Sequence, residues 1–217
     1  MKLTEDVYAF CWEGYENNCN SYYFGGELRC LIDVGHARFA DRLLADLGGN
    51  GIAPEEIRLV IATHSHPDHL EGIARFAELG IPVAIHPASV EYLQGPGRII
   101  YSFLASSVPK FEVGVELAEG PLAALAGAVE VYHTPGHEPG SVCVYWPEKK
   151  ALATGDLVFF GGVGRTDFPG GSYEELMQQI ERMAALDVEY LLPGHGPTID
   201  SKAEVEANYK AVRRMFG

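Results

Sequence analysis

The sequence has no long hydrophobic run. No uninterrupted apolar stretch in its 217 residues approaches the roughly 20 residues that a helix needs to span a bilayer. The first residues, MKLTEDVYAFCW, lack the basic region followed by an apolar core that is typical of a secretory signal. We therefore expect a cytoplasmic protein without a membrane anchor.

Basic residues are also scarce. The 16 Lys and Arg residues are outnumbered by 30 Asp and Glu residues, which leaves a formal net charge of -14. Such a surface repels phosphate backbones and anionic lipids. We therefore expect neither nucleic acid nor a membrane as the partner. A monomer and a homodimer are both compatible with this composition.

Cysteine occurs at only four positions, Cys11, Cys19, Cys30 and Cys143, with no Cys-x-x-Cys pair. This scatter in a chain without an export signal predicts reduced thiols or small core residues rather than a disulfide framework. Cys143 alternates with two valines in a strand-like run, which favours the core.

The chain has the length of one domain, which we expect to cover residues 1–217. The first half runs from β-rich segments into β-α-β alternation, and strands followed by helices return in the second half. This arrangement predicts an α/β fold with four layers, an αβ/βα sandwich in which two mixed β-sheets pack face to face with helices outside. The predicted strands are 6–12, 20–26, 28–35, 57–64, 81–86, 127–134, 141–156 with a hairpin turn, and 188–195; the predicted helices are 37–49, 69–80, 87–95, 172–186 and 201–216.

The middle of the chain is less regular and rich in aromatic residues. After a Pro/Gly break it contains the aromatic stretch RIIYSFLASSVPKF, residues 98–111. Tyr92, Tyr101 and Phe103 could form the wall of a substrate pocket. Packing in the core explains these side chains nearly as well.

The motif HSHPDH follows the apolar run that ends near residue 63. His64 and His66 are two residues apart in an extended segment, so their side chains point to the same side and can converge on one ion. Asp68 and His69 start the next helix and could face a second ion. Imidazole and carboxylate ligands suit zinc, iron or manganese. The alternative is a helix cap with surface histidines.

Three more residues with metal-binding side chains follow strand-like runs elsewhere in the chain. His137 lies in the turn of VYHTPGHEPGS, Asp156 follows ALATG, and His195 lies in VEYLLPGHGP. A metal site must recruit ligands from distant loops, and these positions supply them. Together with the first motif they form a set of five histidines and two aspartates, which two ions would need. A closed structural zinc site has four ligands, usually with cysteines, so this set favours an open catalytic site over a binding scaffold.

The order H-x-H-x-D-H, then a lone His, Gly-Asp and Gly-His-Gly resembles the metallo-β-lactamase superfamily over nearly the whole chain. The resemblance implies the αβ/βα sandwich. It also implies that His64, His66 and His137 hold one metal ion and that Asp68, His69 and His195 hold another, with Asp156 as a bridge between the two ions.

A second stretch, GDLVFFGGVGRTDFPGG, is similar to glyoxalase II-like hydrolases of the short bacterial type and to persulfide dioxygenases. Arg165 and Asp167 either hold this loop over the site or form a salt-bridged structural turn. Only about one helix follows His195, so we expect this chain to lack the C-terminal domain with which full-length glyoxalase II enzymes contact glutathione.

Two activities of different classes follow from this resemblance. In the first, two divalent ions, zinc above all and otherwise iron or manganese, make a bound water acidic. The resulting hydroxide, oriented by Asp68 as the catalytic residue, cleaves a small thioester or ester such as a hydroxyacyl thioester, with lactones as another possible substrate class. In the second, His64, His137 and Asp156 hold a single Fe(II) for persulfide oxidation.

The remaining histidines, His36, His86 and His133, do not belong to these metal-binding motifs. We interpret them as loop residues or as residues that support the site. Asp33, at the end of the strand-like LIDVG, is a candidate for orienting a ligand histidine.

Overall fold

The computed structural model describes residues 1–104 and 106–217. Ala105, which falls in the aromatic stretch 98–111, lies outside the described residues. Thirteen strands and seven α-helices are formed by the described part of the chain. The strands are β1 (Val7–Phe10), β2 (Ser21–Phe24), β3 (Cys30–Ile32), β4 (Leu59–Ile61), β5 (Val83–Ile85), β6 (Val113–Glu116), β7 (Gly120–Pro121), β8 (Glu130–His133), β9 (Val142–Trp146), β10 (Ala151–Gly155), β11 (Val158–Phe159), β12 (Gly162–Val163) and β13 (Tyr190–Pro193). The helices are α1 (Ala40–Gly49), α2 (Pro67–Leu70), α3 (Ile73–Glu78), α4 (Pro87–Gln94), α5 (Arg98–Phe103), α6 (Tyr173–Met183) and α7 (Lys202–Phe216).

Two mixed sheets organise the fold. The first has the strand order β1-β2-β3-β4-β5-β6, with antiparallel pairs up to β3 and parallel pairs from β3 to β6. The second has the order β13-β10-β9-β8-β7, in which only β10 and β13 are parallel. Strands β11 and β12 form a separate hairpin.

The alternation of side chains along β9 shows how the sheets pack. Val142, Val144 and Trp146 face the first sheet, where they meet residues such as Phe24 and Ile61. Cys143 and Tyr145 point the other way, toward α6 and α7. A strand that is buried on both faces reads as a continuous apolar run, as β9 does. Cys143 is fully buried, which confirms its prediction as a core residue.

Helices cover the outer face of each sheet. Leu47 of α1 and Phe76 of α3 pack on the first sheet. Leu176 and Ile180 of α6 and Val212 of α7 pack on the second. The four-layer sandwich predicted from the sequence is therefore confirmed, whereas the assignment of residues 1–217 to one domain stays a prediction.

Some local predictions differ from the structure. The helix predicted over 69–80 is divided into α2 and α3, because the Gly72 amide donates to the Gly35 carbonyl at 2.7 Å instead of continuing the helix. A Cβ on Gly72 would lie 2.9 Å from the Val34 carbonyl oxygen, so this close approach requires glycine. The aromatic stretch begins with α5, and neither β6, β7 nor the β11–β12 hairpin was predicted.

No helix in residues 1–104 or 106–217 is both long and apolar enough to cross a membrane.

Candidate metal centre

Three of the predicted ligands meet where the loop after β4 approaches the loop after β8. His64 and His66 lie in the extended segment before α2, and His137 lies in the turn before β9. One nitrogen from each of these three buried imidazoles lies within 4.8 Å of the others. The ring centroid of His66 is 4.7 Å from that of His64 and 4.5 Å from that of His137. Three nitrogen donors therefore converge on one small space.

A second group forms beside the first. The ligand atoms of Asp68, His69 and His195 also lie within 4.8 Å of one another. Nε2 of His195 is 3.3 Å from Oδ2 of Asp68 and 3.2 Å from Nε2 of His69. Asp68 and His69 belong to α2, and His195 follows β13, so two distant parts of the chain build this group.

Asp156 lies between the two groups. Its Oδ1 is 3.1 Å from Nε2 of His69, and its Oδ2 is 3.5 Å from Nε2 of His137. One carboxylate oxygen thus faces each group, which is the placement that a bridging ligand requires. The structure brings all seven residues of the predicted set into one region, and their role as ligands stays a prediction.

Hydrogen bonds at Nδ1 orient three of the imidazoles. His137 Nδ1 donates to the Arg165 carbonyl at 2.7 Å, and His69 Nδ1 donates to Asp33 Oδ2 at 2.8 Å. Thr63 Oγ1 donates to Asp33 and therefore accepts from His64 Nδ1 at 3.1 Å. In His64 and His137 the proton is placed on Nδ1, so the Nε2 lone pair of each of these two rings is left for another partner.

These residues fit a metal ion. The Nε2 atoms of His64, His66 and His137 are buried, and no residue of the described chain hydrogen-bonds to them. Burial lowers the pKa of each of these imidazoles, that of His66 to about 3, so the rings are neutral. An unpaired buried acceptor is costly, and coordination of a cation would satisfy all three at once.

In the second group the imidazole pKa values are raised and not lowered. Burial alone lowers the pKa of His195, but Asp156 and Asp68 more than offset this and raise it to about 9. In the same way Asp156 raises the pKa of His69 above its ordinary value in spite of burial. The two carboxyl groups in turn have lowered pKa values, because the imidazoles outweigh their burial. A metal cation would replace the imidazole protons as the partner of these carboxylates.

Two asparagines that sequence reasoning missed support the site. Asn17 Nδ2 donates to Asp68 Oδ2 at 2.6 Å. Asn20 Nδ2 donates to the carbonyls of Pro193 and Gly196 at 3.0 and 2.8 Å, and so holds the loop of His195. The only signal for them in the sequence is the cluster of three asparagines, NNCN, directly before β2.

Cys19 lies in this cluster and beside the site. Its sulfur is within 4.8 Å of ligand atoms of Asp33 and His69. It is buried, and burial raises the pKa of its thiol, so the thiol stays protonated. Its position agrees with a small core residue rather than a reactive one.

The other histidines lie outside the two groups. His36 Nδ1 is 2.6 Å from Glu71, and its amide donates to Asn18 at 2.8 Å. The rings of His86 and His133 stack on each other with centroids 4.2 Å apart. None of the three belongs to a candidate ligand group in the described part of the chain.

The sequence left open whether Arg165 and Asp167 hold their loop over the site or form a salt-bridged turn, and the structure shows features of both. Their side chains make a two-point ion pair, with Nε–Oδ1 at 2.7 Å and Nη2–Oδ2 at 2.6 Å. The Arg165 backbone carbonyl meanwhile accepts the bond from His137 that orients this ring. The loop is thus a salt-bridged turn whose backbone touches the site.

The aromatic residues of the middle segment divide between core and pocket. Tyr101 is buried, and its hydroxyl donates to the Ser65 carbonyl at 2.9 Å. Tyr92 is also buried, with its ring centroid 6.4 Å from that of His66. Phe103, by contrast, lines the cavity over the site.

Glu138, the residue after His137, forms hydrogen bonds that support the loops of the first group. Its buried carboxyl group accepts from Ser65 Oγ at 3.2 Å, Ser89 Oγ at 2.9 Å and the Gly140 amide at 3.2 Å. Burial raises its pKa to about 7. Glu138 therefore joins the loop of His64 and His66 to the start of α4.

Removal of this buried acceptor is expected to destabilise the fold. Glu138→Ala leaves three buried donors without their partner, and we expect the free energy of unfolding to fall by about 2–3 kcal/mol. Glu138→Gln keeps the shape and one acceptor oxygen, so its loss is expected to be smaller. Urea unfolding at pH 7 measures both, with the exposed Glu206→Ala on α7 as the control. Equal stability of Glu138→Ala and the parent chain would contradict this role.

A cavity of about 530 Å³ opens over the two groups. Its floor includes His66, Asp68, His137, Asp156 and His195. Its sides are mostly apolar and come from α5, from the β11–β12 hairpin and from Phe168; the residues are Ile100, Phe103, Leu104, Phe159, Val163 and Phe168. A small molecule can therefore reach the candidate ligands.

The family follows from comparison with known proteins. The profile of the metallo-β-lactamase superfamily matches residues 14–195. The chain belongs to the metallo-β-lactamase superfamily. The matched range contains all seven candidate metal ligands, and the observed sandwich is the architecture that the resemblance implied.

Relatives in this superfamily cover most of the chain. The probable metallo-hydrolase MJ0888 of Methanocaldococcus jannaschii is 34% identical over 197 residues, which are 88% of this chain and 93% of the relative. The hydroxyacylglutathione hydrolase GloC of Haemophilus influenzae is 28% identical over 84% of this chain and 86% of its own. A crystal structure of TTHA1623 in a di-iron-bound form superposes with a TM-score of 0.72 at 31% identity, covering 88% of this chain and 93% of that one.

Proposed function

We propose that this chain, a metallo-hydrolase of the metallo-β-lactamase superfamily, cleaves a small thioester or ester with the help of two bound metal ions. The observation that carries the proposal is the convergence of seven His and Asp side chains in one region, five of which form the floor of an open cavity. The name of the Haemophilus relative, a hydroxyacylglutathione hydrolase, supports a thioester as the substrate class.

The donor groups suggest where each ion would bind. His64, His66 and His137 would hold one ion, and Asp68, His69 and His195 the other, with Asp156 shared between them. Imidazole and carboxylate donors suit zinc, and they also suit iron and manganese. The di-iron form of TTHA1623 supports two ions and keeps iron open as the native metal.

Metal ions bound there would lower the pKa of a water molecule and polarise the substrate carbonyl. Asp68 is the residue of the chain that we expect to orient this water and to accept its proton. Its carboxyl group is ionised, since its pKa is lowered, and the Asn17 amide fixes its Oδ2. The attack breaks the bond from the carbonyl carbon to sulfur or oxygen and releases an acid with a thiol or alcohol.

A second candidate is a persulfide dioxygenase with one Fe(II) held by His64, His137 and Asp156. The iron in TTHA1623 supports iron as the metal, but that form contains two ions and not one. Both enzymes would keep the second group of Asp68, His69 and His195, so the number and identity of the bound ions distinguish the two candidates. A lactonase would use the same residues as the thioester hydrolase and differs only in substrate.

Metal content and activity together test the proposal. We expect protein purified under low oxygen without added metal to carry about two ions of Zn, Fe or Mn per chain. We also expect it to release free thiol from thioesters, to stop doing so after chelation, and to recover when metal is returned. One iron per chain, no thiol release and oxygen uptake with a persulfide would replace this proposal by the dioxygenase. Hydrolysis of lactones alone would replace the thioester by a lactone.

A further inference from the structure

The walls of the cavity are more apolar than its floor. The end of α5 contributes Ile100 and Phe103, followed by Leu104, and the β11–β12 hairpin faces it with Phe159 and Val163. Phe103 and Leu104 are 72% and 53% exposed at the rim. Large apolar side chains that are grouped and left in water mark a surface that binds an apolar group.

The apolar walls reach down to the candidate ligands. The Phe159 ring centroid is 5.8 Å from that of His195, and the Phe168 ring centroid is 5.5 Å from that of His66. An apolar group bound between the walls would therefore lie next to the carbonyl that is cleaved.

The cavity walls carry few cationic side chains that could bind an anionic substrate. Among the described residues that line the cavity, Arg165 is the only lysine or arginine. Asp167 neutralises its guanidinium group by the two-point ion pair, and the guanidinium carbon lies 3.8 Å from the Phe168 ring centroid. Such a paired and stacked arginine has fewer free N–H donors for an anionic substrate than an unpaired one. The net charge of -14 further disfavours the approach of anions.

We propose that the substrate is a thioester with an uncharged thiol part and an apolar acyl chain of several carbons. This inference rests on the proposed function and narrows it. The acyl side is chosen because thiols such as glutathione carry amides near the sulfur, and amides between apolar walls would lose their hydrogen bonds to water. In the reaction, water supplies the oxygen of the new C–O bond while the C–S bond breaks, and the products are a carboxylate, a thiol and a proton.

Four substrates test this inference. They are the acetyl and hexanoyl thioesters of N-acetylcysteamine, which is neutral, and of glutathione, which is anionic. We expect kcat/KM for hexanoyl-N-acetylcysteamine to exceed that for its acetyl analogue by at least about tenfold, since each buried methylene adds binding. We expect the glutathione thioesters to be about tenfold poorer than their N-acetylcysteamine counterparts. Thiol release without these preferences would overturn the inference alone, and release from none of the four would overturn the thioester part of the proposed function as well.

A variant of the ion pair gives a gain-of-function test. Asp167→Asn frees the charge of Arg165 on the cavity wall, so the ratio of kcat/KM for hexanoyl-glutathione to that for hexanoyl-N-acetylcysteamine is expected to rise several-fold. The ratio on one preparation does not depend on the active fraction. Glu181→Gln is the matched control, because it breaks a similar two-point pair with Arg213 on the α6–α7 surface and changes the net charge equally. An unchanged ratio in Asp167→Asn would show that anionic thiols are not rejected in this way.

The apolar wall has its own variant. Phe103→Ala removes an exposed ring at the rim, and we expect it to reduce the preference for hexanoyl over acetyl, chiefly through KM for the hexanoyl substrate. A chain-length preference that stays the same would place the acyl group elsewhere and overturn this part of the inference.

Discussion

His66→Ala is expected to abolish hydrolysis and to lower the metal content of the purified protein. His66 is 4% exposed. It contributes one of three neutral imidazole nitrogens that lie close together and have no hydrogen-bond partner in the described chain. Alanine leaves two histidines and the shared Asp156, and the loss of one imidazole from this set is expected to weaken binding of the ion strongly. We expect kcat/KM to fall by at least about 10³-fold and roughly one metal ion per chain to be lost.

The measurement pairs elemental analysis with thiol release. His86→Ala is the control, because it removes an imidazole of the His86–His133 stack, which lies outside both candidate groups. We expect this control to keep its metal and its activity within a few-fold. Full activity of His66→Ala with unchanged metal content would refute the assignment of the first group.

The convergence of the seven candidate residues could be predicted from the sequence because these residues follow local rules. His64 and His66 share a side of an extended segment, and His137, Asp156 and His195 all follow apolar runs that became β8, β10 and β13. Strands that end at one edge of a sandwich carry their loops to the same place. Continuous apolar runs, such as the one that forms β9, likewise predicted strands of the two sheets.

Contacts between distant segments could not be predicted in this way. Asn17 and Asn20 act on residues 51 and more than 170 positions away, and nothing local in NNCN shows which loop they will meet. The break at Gly72 depends on the Gly35 carbonyl, which comes from the loop after β3. The split of the aromatic segment, with Tyr101 buried and Phe103 exposed, likewise depends on where α5 packs.

Asp33 is the supporting residue for which the sequence and the structure agree most closely. The sequence made it a candidate for orienting a ligand histidine, and its Oδ2 accepts from both His69 Nδ1 and Thr63 Oγ1 at 2.8 Å. Its Oδ1 accepts from the Thr63 amide, also at 2.8 Å. Its φ of 54° lies in the left-handed region, which Asp tolerates better than most residues. One buried carboxylate thus fixes a ligand of the second group and, through Thr63, the ring of His64.

Asp33→Asn is therefore expected to weaken metal binding by about 10- to 100-fold. The amide has the same shape, but it offers one acceptor oxygen in place of two, so at least one of the three donors faces another donor. Because His69 and His64 belong to different groups, we expect both ions to be bound more weakly.

Competition of each protein with a chromophoric chelator for zinc measures the affinity directly. The control is Asp41→Asn, which removes a surface carboxylate paired with Arg75 and is expected to leave metal affinity unchanged. Restoration of thiol release in Asp33→Asn by excess metal would show that the defect lies in affinity. If Asp33→Asn bound both ions as tightly as the parent chain, the orienting role of Asp33 would be wrong. The direction of the two ligand rings would then be set by packing alone.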